Sequence, residues 1–434
     1  MNVFPIHDPV QGEQILAVQP GLERYPDPDW RQRLQYFSGR TLTHTALDLE
    51  QQSRSGRLAT LGQAVSSGVV TGLEVSAART EEGVVIEIAS GMGIAASGEI
   101  MHVNRNQQVL LDDIRVFAPA VMLGGEGAEG APTLGDTLGT LRAGKVPLPE
   151  AMVVVLQPAV VVHFSHKDST DPCELDPSDT AFANWQWVDG CRLVLYAWDP
   201  DLSPLPVAGS WRRNRIAYAV FDAERNLSQG EILPWMTVGV PIGLIGLDST
   251  LNFDFMDRNA VVRRGGRPLD QDVPVAPAGD RFLWQARFEQ FNEHLVDWIM
   301  NTSGLEPAEI KAGTVFRRLP PVGVLPKEAV ASRRQLQHFF PPSYSVQARA
   351  LPYEQLDLAI QESIALLPFD LNTPDRVEIL VPVPQEYFDP QLLKVESLDP
   401  EFEQAIARFT SLRDEWLGRR MMVRKKAAAL YQAM

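Results

Sequence analysis

Cysteine is nearly absent. The two in 434 residues, Cys173 and Cys191, are too few for a disulfide framework and suit a reducing compartment. No apolar run approaches the ~18 residues of a membrane helix. The first residues, Met1 to Asp8, lack the basic segment and apolar stretch of a secretory signal, so synthesis in the cytoplasm is expected. Positive charge is also in deficit. The net charge of −16 leaves no general basic face for phosphates, which speaks against a nucleic-acid binder. Recognisable catalytic motifs are missing as well: there is no Gly-x-Ser-x-Gly elbow and no His-Glu-x-x-His. No enzymatic activity and no cofactor are expected. Turn formers, in contrast, are plentiful. With 31 glycines and 33 prolines the chain favours many turns and short strands over a helical bundle.

The hydrophobic pattern predicts an α+β, mostly β protein in five parts. Residues 1–66 read as a proline-rich extended arm, held by a neighbour or mobile, followed by a first helix from about Thr43 to Val65. Thr45 and Asp48 suggest its capping box, and Leu58, Leu61 and Val65 share one face. Residues 67–275 read as a sandwich or barrel-like body with long loops, notably Gly124–Lys145 and Lys167–Ala183. Its strands include Val84–Ala89, a hairpin about Ser97-Gly98, Val153–Leu156, Val160–Phe164, Arg192–Ala197 and Arg215–Val220. Residues 276–304 form an aromatic helix. Trp284, Phe288, Phe291, Leu295 and Trp298 recur every four and three residues, the a/d seam of a helix that packs on the body or on a copy of itself. Residues 305–398 read as a small α/β domain, with strand-like Thr314–Arg317, a helix near Tyr353–Leu366 and strand Val377–Val383; Pro382 and Pro384 confine that last strand to an edge or place them at its end. Residues 399–434 form a terminal helix whose end carries Arg419, Arg420, Arg424, Lys425 and Lys426 and no acid.

Several motifs imitate binding sites. Gly139 to Lys145 has the glycine–lysine core of a phosphate loop, but Val146 stands where a metal-binding hydroxyl belongs, and Pro147 and Pro149 spoil the helix that should follow. Gly125-x-Gly127-x-x-Gly130 lies in a glycine-rich loop with no helix after it. Gly91-Met92-Gly93 follows a strand, yet Ser97-Gly98 turns the chain back as a hairpin before any helix has room. His163, His166, Cys173 and Cys191 are metal-ligating types at no zinc-finger spacing, and no metal site is assigned to them.

At Tyr36-Phe37-Ser38-Gly39-Arg40-x-Leu42, then a helix, then Gly68-Val69-Val70-Thr71-Gly72-Leu73-Glu74-Val75 and Gly93-Ile94-Ala95-Ala96-Ser97-Gly98-Glu99-Ile100, the chain resembles proteins associated with phage tails and contractile injection systems. Val240–Ile245, Phe255–Val261 and Leu319–Pro326 are similar to later stretches of such proteins. The resemblance implies a structural subunit of a phage-tail-like contractile injection particle, in or near the baseplate. Its partners would be the particle's baseplate, spike or sheath proteins, with a homo-oligomer also open. Membranes would be met only through the assembled particle, which is either released from the cell or attached to a membrane. The residues expected at contacts are Tyr36, Phe37, Trp284, Phe288, Phe291, Trp298, Arg419, Arg420, Arg424, Lys425 and Lys426. Two other readings stand beside this one: a tail-fibre-like protein binding a receptor or glycan through Gly124–Lys145, and a carbohydrate-active hydrolase using paired carboxylates.

Overall fold

The computed structural model describes residues 13–20, 41–119 (Leu42 apart), 133–165, 185–199, 211–228, 231–265, 278–301, 309–325, 337–363, 366–390 and 404–412 (Thr410 apart), with isolated positions at 35, 37–39, 123, 202, 204–206 and 393. The fold is α+β, built from several open sheets, none closed into a barrel. The chain divides into two compact units. The first holds Met1–Pro206 and Ile216–Asp272, the second Val207–Arg215 and Val273–Met434.

In the first unit, strands β1 (Glu13–Pro20), β8 (Arg115–Ala118), β9 (Thr133–Thr137), β10 (Ala151–Ser165), β11 (Trp185–Ala197), β12 (Val240–Leu247) and β13 (Phe253–Asp257) make one mixed sheet. Its order is β13-β12-β10-β11-β8-β9; β8 runs parallel to β11, and β1 also pairs with β10. The two strands expected at Val153–Leu156 and Val160–Phe164 are one, β10. Pro158 lies inside it, at the point where the edge of β10 changes partner from β12 (ending at Leu156↔Val240) to β1 (beginning at Ala159↔Pro20). A proline, which has no N–H for the ladder, is tolerated in that gap. Part of the N-terminal arm is thus held by its own chain, as β1.

Two three-stranded antiparallel sheets face this one. The first joins β2 (Gly68–Gly72), β5 (Gly91–Ile94) and β6 (Ile100–Val103), the second β3 (Val75–Thr80), β4 (Gly83–Ile88) and β7 (Gln107–Leu110). Alternate residues of every layer meet in one core: Val69, Ile86, Ile88, Met101, Val103, Met152, Val154, Leu156, Leu195, Ile242 and Ile245 are all buried there. On β11 the intervening residues face away from that core. Tyr196 stacks on Phe117 at 5.7 Å, and Trp198 stacks on Trp235 at 6.1 Å. All eight residues of β12 are buried, as a strand covered on both faces requires.

Residues Arg215–Val220, expected as a strand, belong to helix α3 (Arg212–Arg225). Ile216, Tyr218 and Val220 alternate, but Ile216, Ala217, Val220 and Phe221 also recur at helical spacing, and that set is buried. The region Gly124–Lys145 is not all loop either, since β9 and helix α2 (Leu138–Ala143) lie within it.

The β12–β13 turn is closed by one carboxylate. Asp248 Oδ1 accepts from Thr250 N (2.8 Å), Thr250 Oγ1 (2.7 Å) and Asn252 N (2.9 Å). The Thr250 hydroxyl and the Asn252 backbone N–H hold its pKa down, from 3.8 to about 2. A depressed carboxyl pKa stabilises the turn above the ordinary value, and the contribution is lost as pH falls through the folded one. Amide-exchange protection at Thr250 and Asn252 is therefore expected to hold at pH 5 and to fall between about 4 and 2, and Asp248→Ala should remove it already at pH 5.

The second unit is organised on helix α4 (Ala278–Asn301). Short helix α5 (Ala312–Val315), the pair β14 (Arg318–Leu319) and β16 (Phe369–Asp370), and the parallel pair β15 (Ser345–Pro352) and β17 (Arg376–Val383) follow, with helix α6 (Leu356–Ser363) between β15 and β16. Residues 314–317, expected as a strand, thus straddle the end of α5. Phe291, Leu295, Phe316, Leu319, Phe339, Phe340 and Tyr344 form one core; Ala348, Ala350, Val383, Ile406 and Phe409 form another. Arg213 and Asn214 are fastened into this unit by hydrogen bonds. Arg213 pairs with Glu293 (2.8 Å) and Asp297 (3.1 Å), and Asn214 Oδ1 accepts from the backbone N–H of Arg317 and Arg318, both at 3.0 Å. Among the described residues β17 is an edge strand, and it ends at Val383, so Pro382 stands at its end and Pro384 just beyond it, both places where proline is tolerated. Among the described residues no helix is long and apolar enough to cross a membrane.

Candidate interaction surface

Helix α1 (His44–Gln63) starts at Thr43, not Thr45: the Thr43 side chain accepts from Ala46 N at 3.3 Å, and its hydroxyl also bonds that of Thr45. Its leucines lie on the outside. Leu58 and Leu61 are each 68% exposed and Leu47 is 47% exposed, while the buried positions are Ser53, Gly56 and Ala59. At 100° per residue the leucines cluster on one side of the helix and the small residues on the other.

The inversion has a steric cause. The turn of the β5–β6 hairpin comes against the helix backbone to backbone. A Cβ on Gly98 would run into the Ala59 carbonyl oxygen, and one on Gly62 into the Gly98 carbonyl oxygen. Only small residues permit that approach, and Gln63 Nε2 then bonds Ser97 O at 2.8 Å. No leucine fits there, so the larger residues face out.

Of the stretches that carry the family resemblance, Gly68–Val75, Gly93–Ile100, Val240–Ile245 and Phe255–Val261 lie in this same unit, and Leu319–Pro326 lies in the second. Strand β2 pairs with β5, Val69 N donates to Arg263 O (2.8 Å), and Gly265 N donates to Val69 O (2.9 Å). Gly72 (φ +61°) and Leu73 (φ +55°) make a left-handed turn out of β2 that leaves Leu73 wholly buried. Asp257 is buried, and its Oδ1 caps the following turn by accepting from Ala260 N at 3.1 Å.

The residues expected at contacts fall into three groups. Phe37 is 65% exposed, ahead of α1. On α4 the buried face is Leu283, Ala286, Arg287, Gln290, Phe291, His294 and Leu295, displaced from the expected aromatic seam. Phe291 is a core residue, 2% exposed and 5.1 Å from the Phe316 ring, which corrects its assignment as a contact. Trp284 and Phe288 pair with each other at 5.7 Å and, like Trp298, are half-buried at the border of that face. Apolar periodicity does not reveal the polar members of the buried face; Gln290 Nε2 and His294 Nδ1 lie 2.7 Å apart there. Tyr36, Arg419, Arg420, Arg424, Lys425 and Lys426 lie outside the described residues.

The mimic motifs resolve into ordinary structure. Gly139 sits inside α2, whose cap is Thr137, so these residues form a helix rather than a phosphate cradle. Gly91–Ile94 is the first arm of the hairpin with Ile100–Val103. Cys191 is buried opposite Pro158, and burial pushes its thiol up to about 12. The side chains of His163, His166 and Cys173 lie outside the described residues, and among the described residues no three His, Cys, Asp or Glu side chains converge. No protein-family model matches the chain, and no curated protein is similar to it.

Proposed function

We propose that this chain is a structural subunit of a phage-tail-like contractile injection particle, in or near its baseplate, acting through protein–protein contacts. The observation that carries the reading is the leucine face of α1: three large apolar side chains displayed on a helix whose opposite face is already occupied by the chain's own hairpin. Such a face gains free energy only when another polypeptide covers it, at roughly 25 cal/mol per Å² of apolar surface. Support also comes from four of the resembling stretches, Gly68–Val75, Gly93–Ile100, Val240–Ile245 and Phe255–Val261, which lie in one unit. The second unit displays apolar side chains too, at Leu358, Leu366 and Leu367.

The test is affinity capture of the tagged full chain from the cells that produce it, followed by mass spectrometry. Tail-tube, sheath, spike or baseplate proteins among the specific companions are expected. Recovery without any tail protein would overturn the reading.

A further inference from the structure

We infer that α1 is a self-association helix: two copies of this chain pair through the outer faces of their α1 helices, antiparallel, about a two-fold axis. The outer face is laid out as a seam. Leu47, Gln51, Arg54, Leu58 and Leu61 follow at intervals of four, three, four and three residues, and all five are exposed. That spacing lets the side chains of one helix enter the gaps of another, which a strand or a loop does not match.

The order of residues along the seam selects the partner. Its apolar ends, Leu47 on one side and Leu58 with Leu61 on the other, are separated by Gln51 and Arg54. A partner helix with an unbroken apolar seam would press hydrocarbon on the Arg54 guanidinium and offer it no acceptor beyond Glu50 of its own helix. A second copy laid antiparallel pairs the seam with itself at four of its five positions, with Leu61 at the level of position 44 of the other copy. Leu47 of each copy faces Leu58 of the other, and Gln51 of each faces Arg54 of the other, so the amide oxygen can accept from the guanidinium. Glu50, which already accepts from Arg54 Nε at 3.2 Å, supplies the countercharge at the same level. A parallel pair would set Arg54 against its own copy, so charge as well as shape chooses the antiparallel arrangement. Isologous pairing of one patch with itself is what a two-fold dimer requires.

The size of the seam sets the strength. Twenty residues of helix span about 30 Å, and a single helical seam falls short of the ~800 Å² per partner typical of stable complexes. Association is therefore expected on the order of tens of micromolar rather than nanomolar. The inference concerns the purified chain alone and holds whether or not the particle reading does.

Sedimentation velocity of the full-length chain from about 1 to 100 µM should show a reversible monomer–dimer shift. Leu58→Glu with Leu61→Glu should weaken dimerisation at least ~10-fold, and so should Leu47→Glu at the other end, because each copy contributes both ends. These positions are exposed, and unchanged far-UV circular dichroism verifies the fold of each variant. In a Cys173→Ser background, Leu47→Cys with Leu58→Cys should close into a disulfide-linked dimer, and Leu58→Cys alone should not. A wild-type chain monomeric at ~100 µM overturns the inference, as does a dimer indifferent to these glutamates or one cross-linked by Leu58→Cys alone.

Discussion

Arg263→Ala is expected to destabilise the first unit by about 3–5 kcal/mol, the cost of breaking a buried ion pair from one side. Arg263 is buried, and its guanidinium uses every N–H. Nε donates to Glu224, Nη1 to the carbonyls of Asn259 (3.1 Å) and Val262 (2.7 Å), and Nη2 to Glu224 and the Ala260 carbonyl (3.0 Å). It also lies 5.5 Å from the centre of the Phe221 ring. One side chain thus binds the C-terminal part of α3 to the turn that follows β13, while the Arg263 carbonyl accepts from Val69 and so holds β2.

Removing Arg263 leaves three carbonyls and the Glu224 carboxylate without these donors. Lysine would keep the charge but lose the fork, so Arg263→Lys should recover only part of the loss. Replacing both partners, Arg263→Met with Glu224→Gln, should recover more than lysine does, because no buried charge is then stranded. Urea unfolding followed by tryptophan fluorescence, which Trp198 and Trp235 report from within this unit, measures all three. Equal losses for the single and double variants would refute the ion-pair account.

How much of this was legible in the sequence depends on which interactions decide each element. The hairpin about Ser97-Gly98, the extent of α1, strand β4 and strand β17 were readable because local periodicity and turn residues determine them. What failed was non-local. Pro158 reads as a strand break until the change of partner along β10 is known, and β1 cannot be paired from its own residues. Residues 216–221 satisfy two periods at once, and burial chose the helical one. On α1 the leucine stripe was only partly read: Leu58 and Leu61 lie on it, whereas Val65 falls beyond the helix end, and periodicity does not tell whether the chain itself covers a stripe, since the small residues that are covered carry no apolar signal. Leu47 belongs to the same stripe and went unnoticed because Gln51 and Arg54 interrupt it. On α4 the converse holds, since buried Arg287, Gln290 and His294 look like surface residues by composition.

The close approach that turns α1 inside out can be broken at one atom. Gly98 has φ +87°, where a side chain is strained, and an added Cβ would meet the Ala59 carbonyl oxygen and lie 2.8 Å from Gln63 N. In Gly98→Ala the strain alone costs on the order of 1–2 kcal/mol. The clash is with helix backbone, which no rotamer change relieves, so the hairpin and helix must separate. Once undocked, α1 has little to hold it: a lone helix of this length is marginal in water, and its buried face offers only Ser53, Gly56 and Ala59. Gly98→Ala is therefore expected to remove hydrogen-exchange protection from residues 44–63 while the β10–β12 core keeps its own, a local loss rather than global unfolding. Protection of α1 equal to wild type would refute this. If the leucine seam is the self-association surface, the same alanine must also abolish the dimer although it touches no seam residue, because a seam exists only while the helix does.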